Sequence, residues 1–155
     1  MRRKVTNRKQ PPPDEKYTSV LVAKMISQVM RAGKKSIAER IVYGALGKAE
    51  GQIKKPAMEV LDLAMENAGP KVELKSRRIG GANYQVPYEI SVERKNTLAL
   101  RWIIGAARSG KGKPMEQKLL EELVNAVNNT GVAVKKKLDT HRMADANKAF
   151  AHFAW

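Results

Sequence analysis

A chain of 155 residues is long enough for one domain that buries roughly 68–70% of its unfolded surface, and a hydrophobic share of 43% excludes a wholly disordered polymer. Thirty lysines and arginines against 15 acids leave a net charge of +15, which opposes compaction unless nucleic acid or an anionic membrane surface neutralises it. Without cysteine there are no disulfides, thiolate metal sites or zinc fingers, and no apolar run approaches the roughly eighteen residues of a membrane span.

Residues 1–16, MRRKVTNRKQPPPDEK, carry Arg2, Arg3, Lys4, Arg8 and Lys9 before the first acid, Asp14, with Pro11 to Pro13 between. No apolar block follows the basic start as in a signal peptide, so a soluble compartment is expected. So few apolar residues predict a basic extension, disordered alone, that a short polyproline spacer holds off a domain at 17–155 and that can order on RNA.

From Ser19 to Met30 the positions Leu21, Val22, Met25, Ile26, Val29 and Met30 recur at helical spacing, with Gly33 suited to a left-handed C-terminal cap. Ser36-Ile37-Ala38-Glu39 reads as a capping box for a second helix with the stripe Ile37, Ile41, Val42, Ala45, Leu46 and Ala49, ending near Gly51. Lys34 and Lys35 sit in the loop between them. Pro56 suits the first turn of a third helix with Val60, Leu61, Ala64, Met65 and Ala68, which Gly69-Pro70 stops.

The period then changes. In KVELKSRRIGGANYQVPYEI, residues 71–90, Val72 and Leu74 alternate with Glu73 and Lys75, and Tyr84, Val86, Tyr88 and Ile90 alternate with Gln85, Pro87 and Glu89. Period two on both sides of Gly80-Gly81 predicts a β-hairpin. Val72, Leu74, Val86, Tyr88 and Ile90 are expected to face the helical body, with the tip projecting beyond it. Lys71, Lys75, Arg77 and Arg78, followed by Asn83, Tyr84 and Gln85, supply guanidinium groups for phosphates, amides for base edges and a ring for an unpaired base.

Ser91 is an N-cap for a fourth helix with Leu98, Ala99, Trp102, Ile103, Ala106 and Ala107 inside and Arg94, Lys95, Arg101 and Arg108 flanking them. A basic loop with Lys111 and Lys113 precedes a fifth helix marked by Met115, Leu119, Leu120, Leu123, Val124 and Val127. A sixth helix is expected to carry Val134, Leu138, Met143, Ala146, Phe150 and Phe153 with Lys135, Lys136, Lys137, Arg142 and Lys148. The fold class is therefore mainly α: one domain of about six helices, a protruding β-hairpin arm and a basic N-terminal extension.

Catalytic readings are weak. Gly105 to Gly112 nearly spells a phosphate-cradling loop but lacks the metal-binding hydroxyl and a preceding strand. Asp139 and His141 are two apart and cannot face each other on a helix, and neither His141 nor His152 has a serine or cysteine beside it, so surface or RNA-contacting histidine is expected. No cofactor or metal is implied. An RNA-acting enzyme would need paired carboxylates where this chain scatters its acids among lysines. A duplex-DNA architectural protein could use the hairpin as its arm. Four separate basic elements around a small helical core favour an extended RNA footprint over a merely soluble surface.

The strings SRRIGGANYQVP at 76–87, GKKSIAERIVYGAL at 33–46, LALRWIIGAAR at 98–108 and AVKKKLDTHRMADANKAFAHF at 133–153 resemble the bacterial and organellar family of small-subunit ribosomal protein seven. The resemblance implies a helical domain with a β-arm that binds the 3′ major domain of small-subunit ribosomal RNA, helps nucleate the subunit head, and lies near the decoding centre, the exit-site transfer RNA and the messenger exit path. Ribosomal proteins nine and eleven are implied neighbours, no membrane is implied, and members can repress their own operon's messenger. The compartment implied is the cytoplasm, or an organelle's stroma or matrix. By position, the family's RNA-contacting arm matches Lys75 to Gln85, its basic loop Gly33 to Lys35, and its C-terminal helix Lys135 to Trp155. Ala154 stands where members commonly place arginine or lysine, and Pro11-Pro12-Pro13 replaces a leucine-proline entry.

Overall fold

A computed structural model describes residues 11–153. The described chain is mostly helical: α1 (Val20–Val29), α2 (Lys35–Ile53), α3 (Ala57–Ala68), strands β1 (Val72–Ile79) and β2 (Ala82–Glu89), α4 (Val92–Ser109), α5 (Met115–Val127), α6 (Gly131–Ala146) and a C-terminal 3-10 helix (Lys148–Phe153). Arg2, Arg3, Lys4, Arg8, Lys9, Ala154 and Trp155 lie outside the described residues.

The apolar stripes close into one core. Helix α5 is central, packed against α2, α3, α4 and α6, and its Leu119 and Leu123 are fully buried with Met25, Leu46, Leu61 and Ile103. Val60, Leu61, Ala64, Met65 and Ala68 of α3 all turn inward, as their 3.6-residue spacing requires. No helix among the described residues is long and apolar enough to cross a membrane.

Helix ends leave backbone groups without partners, and here side chains from other elements satisfy several of them. The Arg108 Nη2 donates to the carbonyls of Gln28 at 2.6 Å and Val29 at 3.4 Å, closing α1. Asn67 Nδ2 donates to Ala126 and Val127 carbonyls, each at 3.0 Å, closing α5. Buried Glu122 accepts from the Ala133 amide at 2.8 Å and opens α6, whose N-cap Thr130 makes no side-chain cap. Burial pushes the Glu122 carboxyl above its usual range, against these amide bonds.

Several local expectations fail for physical reasons. The first helix ends at Val29 with Met30 as C-cap, so Gly33, at φ +72°, serves the following turn instead. Helix α2 begins at Lys35, before Ser36, and makes no side-chain cap; Glu39 pairs with Lys35 at 3.2 Å, one turn back, so the capping box does not form. Ile37 is then left 49% exposed. Helix α2 runs past Gly51 to Ile53, where Lys54 takes the left-handed cap. The last helix breaks at Asn147, and only Ala133, Val134 and Ala144 of α6 are buried, so Leu138 and Met143 stay exposed. Trp102 and Ala106 are half-buried at the core's edge.

The start of the body is tied down further back than Tyr17. Asp14 is buried: its carboxylate accepts from the Lys16 and Tyr17 amides at 3.1 Å each and from the Tyr43 hydroxyl at 2.5 Å. That hydrogen bond to a carboxylate raises the Tyr43 pKa well above a phenol's ordinary value.

Candidate nucleic-acid interface

The hairpin turn is two residues long, Gly80-Gly81, with φ of +56° and +90°, the positive pair a type I′ turn requires. This turn pairs Ile79 with Ala82, and every Cα pair sums to 161, so an odd position on β1 shares a face with an even position on β2. Glu73, Lys75, Arg77, Tyr84, Val86 and Tyr88 therefore lie on one face, and Val72, Leu74, Arg78, Asn83 and Gln85 on the other. The apolar residues expected on a common inner face are thus divided between two.

Both faces are gripped. Val72 and Leu74 line a crevice of about 250 Å³ with Leu98 and Trp102 of α4 and Thr140 and Met143 of α6. On the opposite face Val86 is fully buried, and the Tyr84 ring lies 4.9 Å from Phe150, centroid to centroid. Tyr84, whose ring is expected to meet an unpaired base, is thus packed against the C-terminal 3-10 helix. Lys75 Nζ stands 4.7 Å and Arg77 Cζ 5.8 Å from the Tyr88 centroid, a cation–π arrangement that stiffens the basic face.

His141 anchors the ribbon's root. Its Nε2 accepts a hydrogen bond from the Lys71 amide at 3.0 Å, a fixed role for a residue expected at the surface or on RNA. Burial, then repulsion from Lys137 and Lys71 with Asp145 opposing, lowers its pKa below 6.5. Acid therefore protonates the unfolded chain's imidazole first, so His141's contribution to stability is complete above its unfolded pKa near 6.5 and is lost as pH falls towards its folded value. The melting temperature is expected to drop between pH 7.5 and 5.5, and by less in His141→Asn. An imidazole NMR titration midpoint at or above 6.5 would contradict the anchor.

The predicted basic residues separate into two groups. Arg94 forks Glu73 at 2.9 and 2.5 Å, which holds the Glu73 carboxyl below and the Arg94 guanidinium above their ordinary pKa values. Lys137 Nζ donates to the Asn67 carbonyl at 2.8 Å, and burial lowers its pKa. Arg108 closes α1 and Lys113 pairs with Glu121. These four, expected on RNA, have partners within the chain: Arg94, Lys137 and Arg108 lie where two elements meet, and Lys113 makes an exposed pair with the helix that follows it. Lys35 is paired with Glu39, Lys136 lies 5.9 Å from the Trp102 centroid, and Lys95 is half-buried with its stem over Gly69.

Lys34, Arg78, Lys111, Lys135, Arg142 and Lys148 are exposed, with no side-chain hydrogen bond or ion pair among the described residues, as are the amides Asn83 and Gln85. Arg31, Lys34, Arg108 and Lys118 ring an apolar hollow of about 320 Å³ floored by Met30, Ile37, Ile41 and Met115. This hollow joins the 33–35 loop to the end of α4. Arg31 and Lys118 escaped the sequence reading; the cations at Lys34 and Lys35 beside Arg31 were its available signal. Among the described residues the 33–35 loop and the end of α4 thus meet at the hollow, and the ribbon meets the C-terminal segment. Among the described residues no three histidines or acids cluster as a metal site.

A family model described as ribosomal protein S7p/S5e matches residues 1–148. The chain belongs to this family. Within it, the chain is 55% identical over 155 residues to the small ribosomal subunit protein uS7 of Thermotoga neapolitana and 57% identical over 155 to that of Thermosipho africanus, covering all of both chains. It is 53% identical over 152 residues to the uS7 of Roseiflexus castenholzii, covering 98% of this chain and 97% of the relative. For a member of the S7p/S5e family, an uncommitted arginine near the hairpin tip has a direct test. Arg78→Ala is expected to leave chemical denaturation within about 0.5 kcal/mol of the parent while weakening RNA binding by about 1–3 kcal/mol. Unchanged binding in a filter assay would make Arg78 a solvated charge only.

Proposed function

We propose that this chain is a non-catalytic structural protein of the small ribosomal subunit that binds the 3′ major domain of its ribosomal RNA and organises assembly of the subunit head. In this reading it lies in the cytoplasm, near the decoding centre, with the ribbon beside exit-site transfer RNA and the messenger exit path. Ribosomal proteins nine and eleven are its neighbours, and it represses its own operon's messenger by the same surface. The basic extension at 1–16 adds phosphate contacts to those of the body at 17–155, its root held by the Asp14 bond to Tyr43.

The observation that carries this is the set of uncommitted cations, Lys34, Arg78, Lys111, Lys135, Arg142 and Lys148, exposed on a member of the S7p/S5e family. Extended positive surfaces with apolar and aromatic relief suit a folded RNA, which is recognised by backbone and shape. Sedimenting a cell lysate in high salt tests it: the chain is expected with the small subunit, and its recovery in the soluble fraction would overturn the assignment. Competition separates the duplex-DNA alternative, since binding to structured RNA should survive excess duplex DNA.

A further inference from the structure

Rings from two elements distant in sequence meet on one face of the ribbon. Tyr84 of β2 lies 4.9 Å from Phe150 and 6.2 Å from Phe153 of the 3-10 helix. Side chains three apart in such a helix eclipse one another, and the Phe150 and Phe153 rings are accordingly near parallel, 17° between planes with centroids 6.5 Å apart. His152 adds a fourth ring, 3.9 Å from Phe153.

These rings are not sealed inside. Tyr84, Phe150 and Phe153 are half-exposed, His152 is exposed, and the 3-10 helix has no buried residue. Two parallel rings at that separation do not cover each other's faces, so π surface remains open. The surroundings are cationic: Lys148 belongs to the same helix, Arg77 is Tyr84's cross-strand partner, and residues 148–153 contain no acid. An apolar protein segment could use the rings but would leave the cations unpaired. An unpaired base uses both, stacking on the rings while its phosphates meet lysine and arginine.

We propose that Tyr84, Phe150 and Phe153 form a stacking site for an unpaired nucleobase of single-stranded RNA, complete only when the 3-10 helix is docked on the ribbon. The site rests on the RNA-binding function above and extends it to a single-stranded ligand and to three named rings.

The full chain is titrated into a short unstructured RNA carrying one 2-aminopurine, and separately into an RNA duplex with the same number of phosphates. Phe150→Leu with Phe153→Leu is expected to weaken the single strand about 5- to 150-fold. It should also remove the 2-aminopurine quench that stacking causes, with duplex affinity and melting temperature unchanged. Phe150→Tyr with Phe153→Tyr should restore both losses. Equal single-strand affinity in parent and leucine variant, or a loss shared equally by the duplex, would sink the ring site. A leucine variant that melts far below the parent makes the rings a structural seal and overturns the proposal, as does a defect confined to assembly with protein neighbours while RNA affinity is intact. A parent chain that binds neither RNA would overturn the RNA-binding function itself, whereas strong binding that ignores the rings overturns only this site.

Discussion

Raising salt from about 50 to about 200 mM is expected to weaken the chain's affinity for a structured fragment of small-subunit ribosomal RNA by roughly 10³–10⁵, if six to ten phosphates are neutralised as on a duplex. Each phosphate contact releases condensed counterions, so the logarithm of affinity falls linearly with that of salt. The count is reasonable because Lys34, Arg78, Lys111, Lys135, Arg142 and Lys148 are exposed and uncommitted, before the basic extension is added. Lys137 and Arg94, held by Asn67 and Glu73, should contribute little. Lys135→Ala is accordingly expected to reduce the salt slope by about one, and Lys137→Met to cost stability and leave the slope alone. Filter binding across a salt series measures this, and a nearly flat response would refute the phosphate-contact account.

Leu123→Ala is expected to destabilise the fold by about 2–5 kcal/mol, a large part of the roughly 5–15 kcal/mol that holds a domain together. Leu123 is fully buried on α5, the helix against which α2, α3, α4 and α6 all pack, so the cavity cannot collapse by moving one neighbour. Trp102→Ala should cost less, under about 3 kcal/mol, despite removing the larger side chain. Its ring is half-buried at the core's edge, beside Lys136 and the ribbon crevice, so water fills part of the space it leaves. Urea denaturation of the two variants side by side decides the order, and a Trp102→Ala loss above that of Leu123→Ala would place the indole inside the core.

The stripes Val60, Leu61, Ala64, Met65 and Ala68, and Leu119 with Leu123, were legible because a helix core needs apolar residues at a fixed local spacing. The hairpin was legible for the same reason at period two, and its turn because only glycine takes two positive φ values cheaply. Charge pointed to nucleic acid or an anionic membrane surface, the spread of basic elements favoured RNA, and the long motifs pointed to the family. Local rules failed where another partner, one turn away or on a different helix, displaced the expected one. Glu39 bonds Lys35 and not a cap amide, and Glu122 opens α6 from a different helix.

The sequence by itself determined the six α-helices and the hairpin, the buried stripe Val60, Leu61, Ala64, Met65 and Ala68 of α3 with Leu119, Leu120 and Leu123 of α5, the two-residue turn and the positive charge. All are set within a few residues, by backbone geometry, side-chain volume or composition. Only the tertiary structure decided which cations remain available to RNA, since Arg94, Arg108 and Lys137 find partners 21, 80 and 70 residues away. It also decided that His141 holds the ribbon's root through Lys71, and that Tyr84 meets Phe150 across 66 positions of chain. Such contacts depend on where whole helices come to rest, which no local period encodes.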